Sequence, residues 1–502
     1  MMDSFLLLLQ GFETALTWQN LLYCFIGVML GMIIGVLPGL GPVSGTALLI
    51  PITFGMEPVS AIIMLSGIFY GSMYGGTITS VLVNVPGEAA SVITCIDGYE
   101  MTKQGRAGAA LGVAAIGSFI GGVVAVVALT FVGPVLSSVA LKFGPPEFFA
   151  IMMLGMLMIV ALMGKSLVRG LIAAFIGLLL SMIGQDLVSG EYRFTFNSIE
   201  LMEGIDFAVI AMGLFGISEI LLNAENPQKV KKAGKVKGLL PRRDEWGTTM
   251  KSVGRGTGIG MFLGVISGAN SIIASTFSYI LEKKVAKDPS RFGKGAIEGV
   301  AGPETANNAH SGAALIPLFS LGLPSSPTMA VILGAFIMHG LTPGPALFTN
   351  NPDFVWGLIA SMFIGNLMLL ILNLPLVGMW AKIAMIPYKL LFPIILMVIL
   401  VGTYSLNGSV WDVGLMLFFG IVGYVMKKLD IPMAAMIVTF ILGSQLESSM
   451  LQSLSISTEG FMIFFTRPIS AVILIIAIVV FALSIYSGVK NKRGRLAADV
   501  EM

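Results

Sequence analysis

The chain has 502 residues, of which 56% are hydrophobic and only 11% are charged, and its mean hydropathy is +0.92. These values exclude a water-soluble globular domain, because such domains carry charge on about a quarter of their residues. The composition predicts an all-α polytopic membrane protein with about 11–13 transmembrane segments.

The first apolar run, residues 5–9, is short, lacks a basic flank and is followed by Glu13. It resembles neither a cleaved signal peptide nor a full span, so residues 1–19 are interpreted as an interfacial segment. A first transmembrane repeat then covers residues 20–223. Cys24 and Cys95 lie in apolar sequence without metal-ligand spacing, which favours a buried structural role.

Positive charge is distributed unevenly along the chain, although the net charge is only +2. No Lys or Arg precedes Lys103, whereas residues 224–255 hold a dense basic cluster. This cluster predicts a cytoplasmic loop, and it lacks the interleaved aromatics of a nucleic-acid-binding surface. If this loop is cytoplasmic and the spans alternate, three basic residues fall on the outer side of the membrane: Lys142, Arg193 and Arg467.

The second transmembrane repeat is placed at residues 256–447, followed by an external loop and last helix at 448–489 and a basic cytoplasmic tail at 490–502. Residues 256–281 lie between two basic loops and must begin and end on the cytoplasmic side. Their centre is rich in glycine. We expect two half-helices forming a re-entrant hairpin, which is tolerated at membrane depth only inside protein or beside a wet cavity.

Short segments recur in the same order in the two halves. The matches pair residues 35–39 with 264–268, 84–88 with 322–326, and 118–121 with 362–365. The loop after the second element carries Lys103 and Arg106 in the first half, whereas residues 342–354 carry no basic residue. Two inverted repeats are therefore predicted, each with re-entrant or interrupted helices, a pattern typical of secondary transporters with a midplane site.

Each half contains two Gly/Pro breaks in apolar sequence, and the half-helix after each break would present free N–H groups and a positive dipole end to a carboxylate. The alternative is that the breaks are kinks or close-packing glycines. For Asn307 and Asn308 the alternative is helix capping. The candidate substrate-binding residues beside the breaks and in the polar stretch 302–311 are Gly39, Gly41, Asn84, Gly87, Gly268, Asn270, Asn307, Asn308, Ser325, Ser326 and Thr328.

Three acids in apolar surroundings, Glu88, Asp97 and Glu304, are candidates for ion coupling, with interfacial capping as the alternative. His310 and His339 are expected to be packed and hydrogen-bonded rather than titrating. No catalytic residue or metal site is predicted. The chain has neither a G-x-x-x-x-G-K-[ST] loop nor an H-E-x-x-H helix, so it is not expected to be an enzyme or an ATP-driven pump.

Several motifs together resemble one known family, the large membrane subunit of bacterial tripartite tricarboxylate transporters, from about residue 20 to about residue 430. They lie at residues 35–41, 84–87, 97–99, 104–108, 303–308 and 339–345. The family's turns and asparagine pair carry over onto Gly39, Gly87, Asn307 and Asn308. In the second half this chain has Ser267 and Ser325 where the family's turns would have Pro and Gly. The resemblance therefore does not determine the shape of the substrate site in that half.

The resemblance implies a multi-pass permease of the bacterial inner membrane that takes up tricarboxylates or related small carboxylates. It implies two partners, a small membrane subunit and a periplasmic solute-binding protein, and coupling to a Na⁺ or H⁺ gradient without another cofactor. A passive anion channel is the alternative, because interrupted helices also build selectivity filters. An intramembrane enzyme would need a nucleophile with an activating base. A homodimer stays open, and no nucleic acid is expected.

Overall fold

The structure is a computed structural model that describes residues 2–37, 40–163, 166–186, 190–225, 236, 238–383, 385–386 and 388–500. Within these ranges ten helices are long and apolar enough to cross a membrane, and three shorter apolar helices accompany them. A helix satisfies its own backbone groups, which is what a lipid environment requires. The chain is thus an all-α polytopic membrane protein, as its composition predicts.

The first half runs from the amino terminus to residue 225. Its helices are α1 (Met2–Ala15), α2 (Trp18–Val36), α3 (Pro42–Leu49), α4 (Pro58–Val83), α5 (Val92–Lys103), α6 (Ala107–Ala140), α7 (Pro145–Met163), α8 (Leu167–Ser181), α9 (Phe207–Ala211) and α10 (Ser218–Glu225). A π-helical turn, Met212–Ile217, joins α9 to α10 as one span. Between α8 and α9, strands β1 (Gly184–Gln185) and β2 (Tyr192–Arg193) pair antiparallel.

The second half begins after the basic loop, of which residues 226–235 and 237 lie outside the described part. Its helices are α11 (Trp246–Gly264), α12 (Ser271–Val285), α13 (Glu298–Ala313), α14 (Leu315–Leu321), α15 (Pro327–Met338), α16 (Leu347–Asn350), α17 (Pro352–Ile383), α18 (Tyr388–Asn407), α19 (Val410–Lys428), α20 (Met433–Ser455), α21 (Ile463–Thr466) and α22 (Pro468–Val500). The expected pair of half-helices corresponds to α11 and α12, which pack against each other.

The breaks between helices have backbone causes. Asn84 ends α4 with φ 59°, and Gly322 ends α14 with φ 72°. Both angles lie in the left-handed region, which asparagine and glycine tolerate best and which commonly ends a helix. Helices α3 and α15 restart with Pro42 and Pro327 in the first turn, where the missing proline N–H leaves no hydrogen bond unmade.

A glycine stripe on α2 allows very close packing against α4. A Cβ added at Gly27, Gly31 or Gly35 would lie 2.1–2.4 Å from a carbonyl oxygen of α4, which is far inside van der Waals contact. The carbonyl oxygens belong, in that order, to Met64, Ile68 and Ser72. Small residues spaced by four let two membrane helices approach backbone to backbone.

The same arrangement recurs between α11 and α13. A Cβ at Gly256, Gly260 or Gly264 would lie 2.3–2.7 Å from the carbonyl oxygens of Gly302, Ala306 and His310. The alignment that pairs Gly35 with Gly264 also pairs the other two glycines of each stripe. The alignment that pairs Asn84 with Gly322 likewise pairs the three contacted carbonyl oxygens of α4 with those of α13. The glycine stripe and the helix on which it packs therefore both recur at matching positions in the two halves.

The next long helix of each half packs on the other half, since α6 contacts α13 and α17 contacts α4. Ser118 on α6 and Asn308 on α13 form one of these contacts, 2.7 Å between Oγ and Nδ2. The two halves thus share an element order and a set of helix contacts. Their opposite orientation in the membrane stays a prediction, and so do the proposed domain boundaries.

Two of the three basic residues on the predicted outer side are neutralised by acids. Arg467 Nε donates to Glu147 at 2.7 Å, and Arg193 is paired with both Asp186 and Glu447. Glu147 is 2% exposed, and the arginine compensates its buried carboxylate. Ion pairing gives a physical reason why these arginines would tolerate the outer side to which the prediction assigns them.

Candidate substrate site and buried carboxylates

A cavity of about 640 Å³ is lined by residues of both halves, and all four chain breaks lie on its wall. Gly41, Gly87, Asn270 and Ser326 each represent one break. Helices α3, α12 and α15 have Gly41, Asn270 and Ser326 as their N-caps, and α5 begins at Val92, which also lines the cavity. Four helix amino termini therefore meet at one space.

Two of these wall residues also cap their helices. The Asn270 Oδ1 accepts a hydrogen bond from the Ile273 N–H, and the Ser326 Oγ accepts one from the Met329 N–H, both at 3.3 Å. Their side-chain oxygens are therefore occupied in helix capping. The Asn270 amide NH₂ and the Ser326 hydroxyl still have donors to offer to a ligand. Thr328, the second residue of α15, lies on the same wall.

Glu88 brings a buried carboxylate to this cavity. It is 5% exposed, and its Oε1 accepts a hydrogen bond from Asn307 Nδ2 at 2.5 Å. The other amide atom, Asn307 Oδ1, is buried and has no hydrogen-bond partner among the described residues. A carboxylate of the first half that lines the cavity is thus held by an amide of the second half.

Glu304 forms a second buried carboxylate one turn before Asn307. Its Oε2 accepts from the Thr77 hydroxyl at 2.6 Å, and its Oε1 accepts from the Thr94 hydroxyl. Asn308 donates to Ser118 and to the Glu304 carbonyl oxygen at 3.1 Å. Both asparagines lie inside α13, so the capping explanation is wrong for them. The polar stretch 302–311 instead joins α13 to helices of the first half.

Other candidate residues lie away from the cavity wall. Ser325 is buried, and its carbonyl oxygen accepts a hydrogen bond from the Gly268 N–H at 2.9 Å. This bond connects the break before α12 to the break before α15. Asn84 is exposed at its helix end, and Gly39 lies outside the described residues. Ser325 and Asn84 shape their breaks, and neither residue lines the cavity.

Asp97 has a different environment from the other two acids. Its Oδ1 accepts from the backbone N–H groups of Gly293, Gly295 and Ala296 at 2.8–2.9 Å, and its Oδ2 accepts from the Tyr279 hydroxyl at 2.8 Å. The carboxylate holds the connection before α13. His339 lies 3.1 Å from the Thr53 hydroxyl and is half-buried.

Several wall residues were missed by the sequence argument. Phe69, Met73, Phe215 and Met433 form apolar wall, and Glu219 pairs with Lys427 at 2.7 Å on it. Phe215 sits on the π-helical turn, a feature that is frequent at functional sites. Glu219 in the apolar run 207–222 is an intramembrane acid and was a usable signal.

Comparison with known proteins agrees with the motifs. Residues 21–438 match the family model of the tripartite tricarboxylate transporter TctA family. An uncharacterised 52.8 kDa protein in the TAR-I ttuC′ 3′ region of Agrobacterium vitis is 45% identical over 501 residues, covering 99% of this chain and 100% of that protein. An uncharacterised protein in the TAR-II ttuC′ 3′ region of the same organism is 45% identical over 240 residues, 48% of this chain and 99% of that protein. No solved structure matches.

Proposed function

Because the chain belongs to the tripartite tricarboxylate transporter TctA family, we propose that it is the permease subunit of a secondary transporter for tricarboxylates or related small carboxylates. In this proposal it works in a bacterial inner membrane. A periplasmic solute-binding protein delivers the acid, a small membrane subunit completes the complex, and a Na⁺ or H⁺ gradient drives uptake.

The observation that carries the proposal is the convergence of four helix amino termini on one cavity. Free N–H groups and the positive ends of helix dipoles bind carboxylates without a permanent positive charge buried in lipid. Several separate termini suit a ligand with more than one carboxylate. Lys427 supplies an ammonium group on the wall, where it is paired with Glu219.

Glu88 and Glu304 support the coupling part of the proposal. Both carboxylates are buried, and their hydrogen bonds come from neutral amide and hydroxyl groups rather than from Lys or Arg. A buried carboxylate in that setting either takes a proton or holds a cation, because an uncompensated charge is very unfavourable there. We therefore propose Glu88, with the Asn307 Oδ1 beside it, and Glu304 as the coupling groups. Asp97 is not included, because its oxygens already accept four hydrogen bonds.

The proposal is tested by uptake of labelled citrate and smaller carboxylates into vesicles that contain the chain, its small subunit and the binding protein. Uptake is measured with and without Na⁺ and H⁺ gradients. We expect accumulation above the external concentration only with a gradient and with the binding protein present. Equilibration at the same rate without any gradient would overturn the transporter proposal in favour of a passive anion channel.

Glu88→Gln tests the coupling group in the same vesicles. The amide keeps the shape of the carboxyl group but neither takes up a proton nor attracts a cation, so the accumulation ratio should fall to about one. Glu225→Gln is the matched control, because Glu225 is an exposed partner of Lys428 away from the cavity. Full accumulation by the Glu88 variant would remove Glu88 from the coupling mechanism.

A further inference from the structure

His310 is a cavity-lining residue that the proposed mechanism has not yet used. It lies in α13 one turn after Asn307 and is 1% exposed. Its Nε2 is hydrogen-bonded to the carbonyl oxygen of Ala269, next to the cap residue Asn270. A carbonyl oxygen can only accept, so Nε2 must carry the hydrogen.

This bond determines what the other ring nitrogen can do. Among the described residues no carboxylate is hydrogen-bonded to the buried ring, and a positive charge there would be strongly unfavourable, so the imidazole is neutral. In a neutral imidazole with hydrogen on Nε2, Nδ1 is an acceptor. Nδ1 is buried and has no partner among the described residues. Nearly all buried polar atoms in folded proteins are paired, so an unpaired buried acceptor on a cavity-lining residue requires an explanation.

The groups on the cavity wall have different complements in a ligand, namely carboxylates and hydroxyl groups. Helix amino termini, the Asn270 amide and Lys427 offer hydrogen-bond donors, which suit carboxylates. An ionised carboxylate has no hydrogen to give and therefore cannot satisfy His310 Nδ1. A hydroxyl group on the ligand can donate to it.

We propose that the transported acid carries a hydroxyl group that donates to His310 Nδ1, so that the chain selects hydroxylated carboxylates over the same acids without the hydroxyl. The inference rests on the proposed function and adds a specificity residue to it. A site built to pair a ligand hydroxyl discriminates strongly against the analogue that lacks it, because the buried acceptor is then left unpaired.

Two variants of His310 separate the roles of its two nitrogens. His310→Gln places an amide NH₂ near the Nε2 position, which keeps a donor for Ala269, but offers nothing at Nδ1. His310→Asn places an amide oxygen near the Nδ1 position and gives up the bond to Ala269. If the hydroxyl is recognised at Nδ1, only the first variant loses the preference for hydroxylated acids.

The experiment compares malate with succinate, and citrate with tricarballylate, as competitors of labelled uptake by the full complex. The binding protein is the same in every sample, so any change in the ratio belongs to this chain. We expect His310→Gln to reduce the preference for the hydroxylated acid about tenfold and His310→Asn to keep most of it. An unchanged ratio in His310→Gln overturns the inference, as does an equal loss of preference in both variants.

Binding of malate and succinate to the unaltered membrane complex, without the binding protein, gives a second test that does not depend on folding of a variant. A preference for malate supports the inference, and equal affinity overturns it. Failure of the unaltered complex to take up any acid would overturn the proposed function and this inference together. Uptake with no hydroxyl preference would overturn the inference alone.

Discussion

Gly87 and Gly41 both lie on the cavity wall, but their surroundings differ. A Cβ at Gly87 would lie 2.1 Å from the Gly35 carbonyl oxygen and 2.5 Å from the Gly76 Cα, whereas a Cβ at Gly41 meets nothing within 4 Å. Gly87 is therefore needed for close packing of the second break. Gly41 borders the space in which a ligand would bind.

We expect Gly87→Ala to destabilise the folded protein by about 1–3 kcal/mol, because backbone atoms must move to admit the methyl group. Gly41→Ala should fold normally and weaken uptake by occupying part of the cavity. Thermal unfolding in detergent and carboxylate uptake measure the two effects separately. Equal stability of the two variants would contradict the packing role of Gly87, and full uptake by Gly41→Ala would move the ligand away from that break.

At the residue level the sequence predicts which groups are unusual, but not which partners they meet. Glu88, Asn270 and Ser326 could be located because an acid or a helix break stands out in apolar sequence. The environment of Asp97 could not be predicted, since its backbone partners lie almost two hundred residues away in the chain. For the same reason the pairing of Asn307 with Glu88 was not foreseen, although both residues were candidates.

Among the helices, the glycine stripes on α2 and α11 provide a test of packing with an internal control. Gly260 and Gly258 lie on the same helix, but a Cβ at Gly260 would be 2.3 Å from the Ala306 carbonyl oxygen, whereas one at Gly258 meets nothing within 4 Å. Gly260→Ala should therefore lower the melting temperature by several degrees, a loss of about 1–3 kcal/mol.

Gly258→Ala should leave stability unchanged or raise it by up to about 1 kcal/mol, because alanine favours an exposed helix more than glycine does. Thermal unfolding of the purified protein in detergent measures both changes. If Gly260→Ala were as stable as Gly258→Ala, the close approach of α11 to α13 would be wrong.

Helix breaks were more predictable than helix lengths. Glycine, proline and asparagine mark the breaks directly, because they control the backbone angles at which a helix stops and restarts. The apolar pattern predicts a span at about residues 168–187, but α8 ends at Ser181, where the chain turns into the strand pair. The pattern predicts another span at about residues 431–447, but α20 continues to Ser455. Glu447 falls inside this helix because Arg193 neutralises it, a tertiary contact that hydropathy alone does not reveal.

In the whole molecule the two halves depend on each other. The long helices α6 and α17 each pack on the opposite half, and the Glu88 and Glu304 carboxylates are both held by groups from the other half. A change in the relative position of the halves would alter the cavity and both carboxylates together. If an ion binds at these carboxylates as proposed, it could therefore shift the halves and so change the cavity.

The predicted inversion of the halves is tested by labelling single cysteines from each side of the membrane. Lys103 and Asn350 are both exposed; Lys103 ends α5, and Asn350 ends α16, the short helix after the corresponding element α15. We expect Lys103→Cys to react with a membrane-impermeant maleimide from the cytoplasmic side and Asn350→Cys from the outer side, because basic loops stay in the cytoplasm. The half-buried native thiol is removed first by Cys95→Ser, and right-side-out and inverted vesicles provide the two sides. Labelling of both positions from one side would mean that the repeats run parallel. The two pairs of helix amino termini would then approach the cavity from the same face of the membrane rather than from opposite faces.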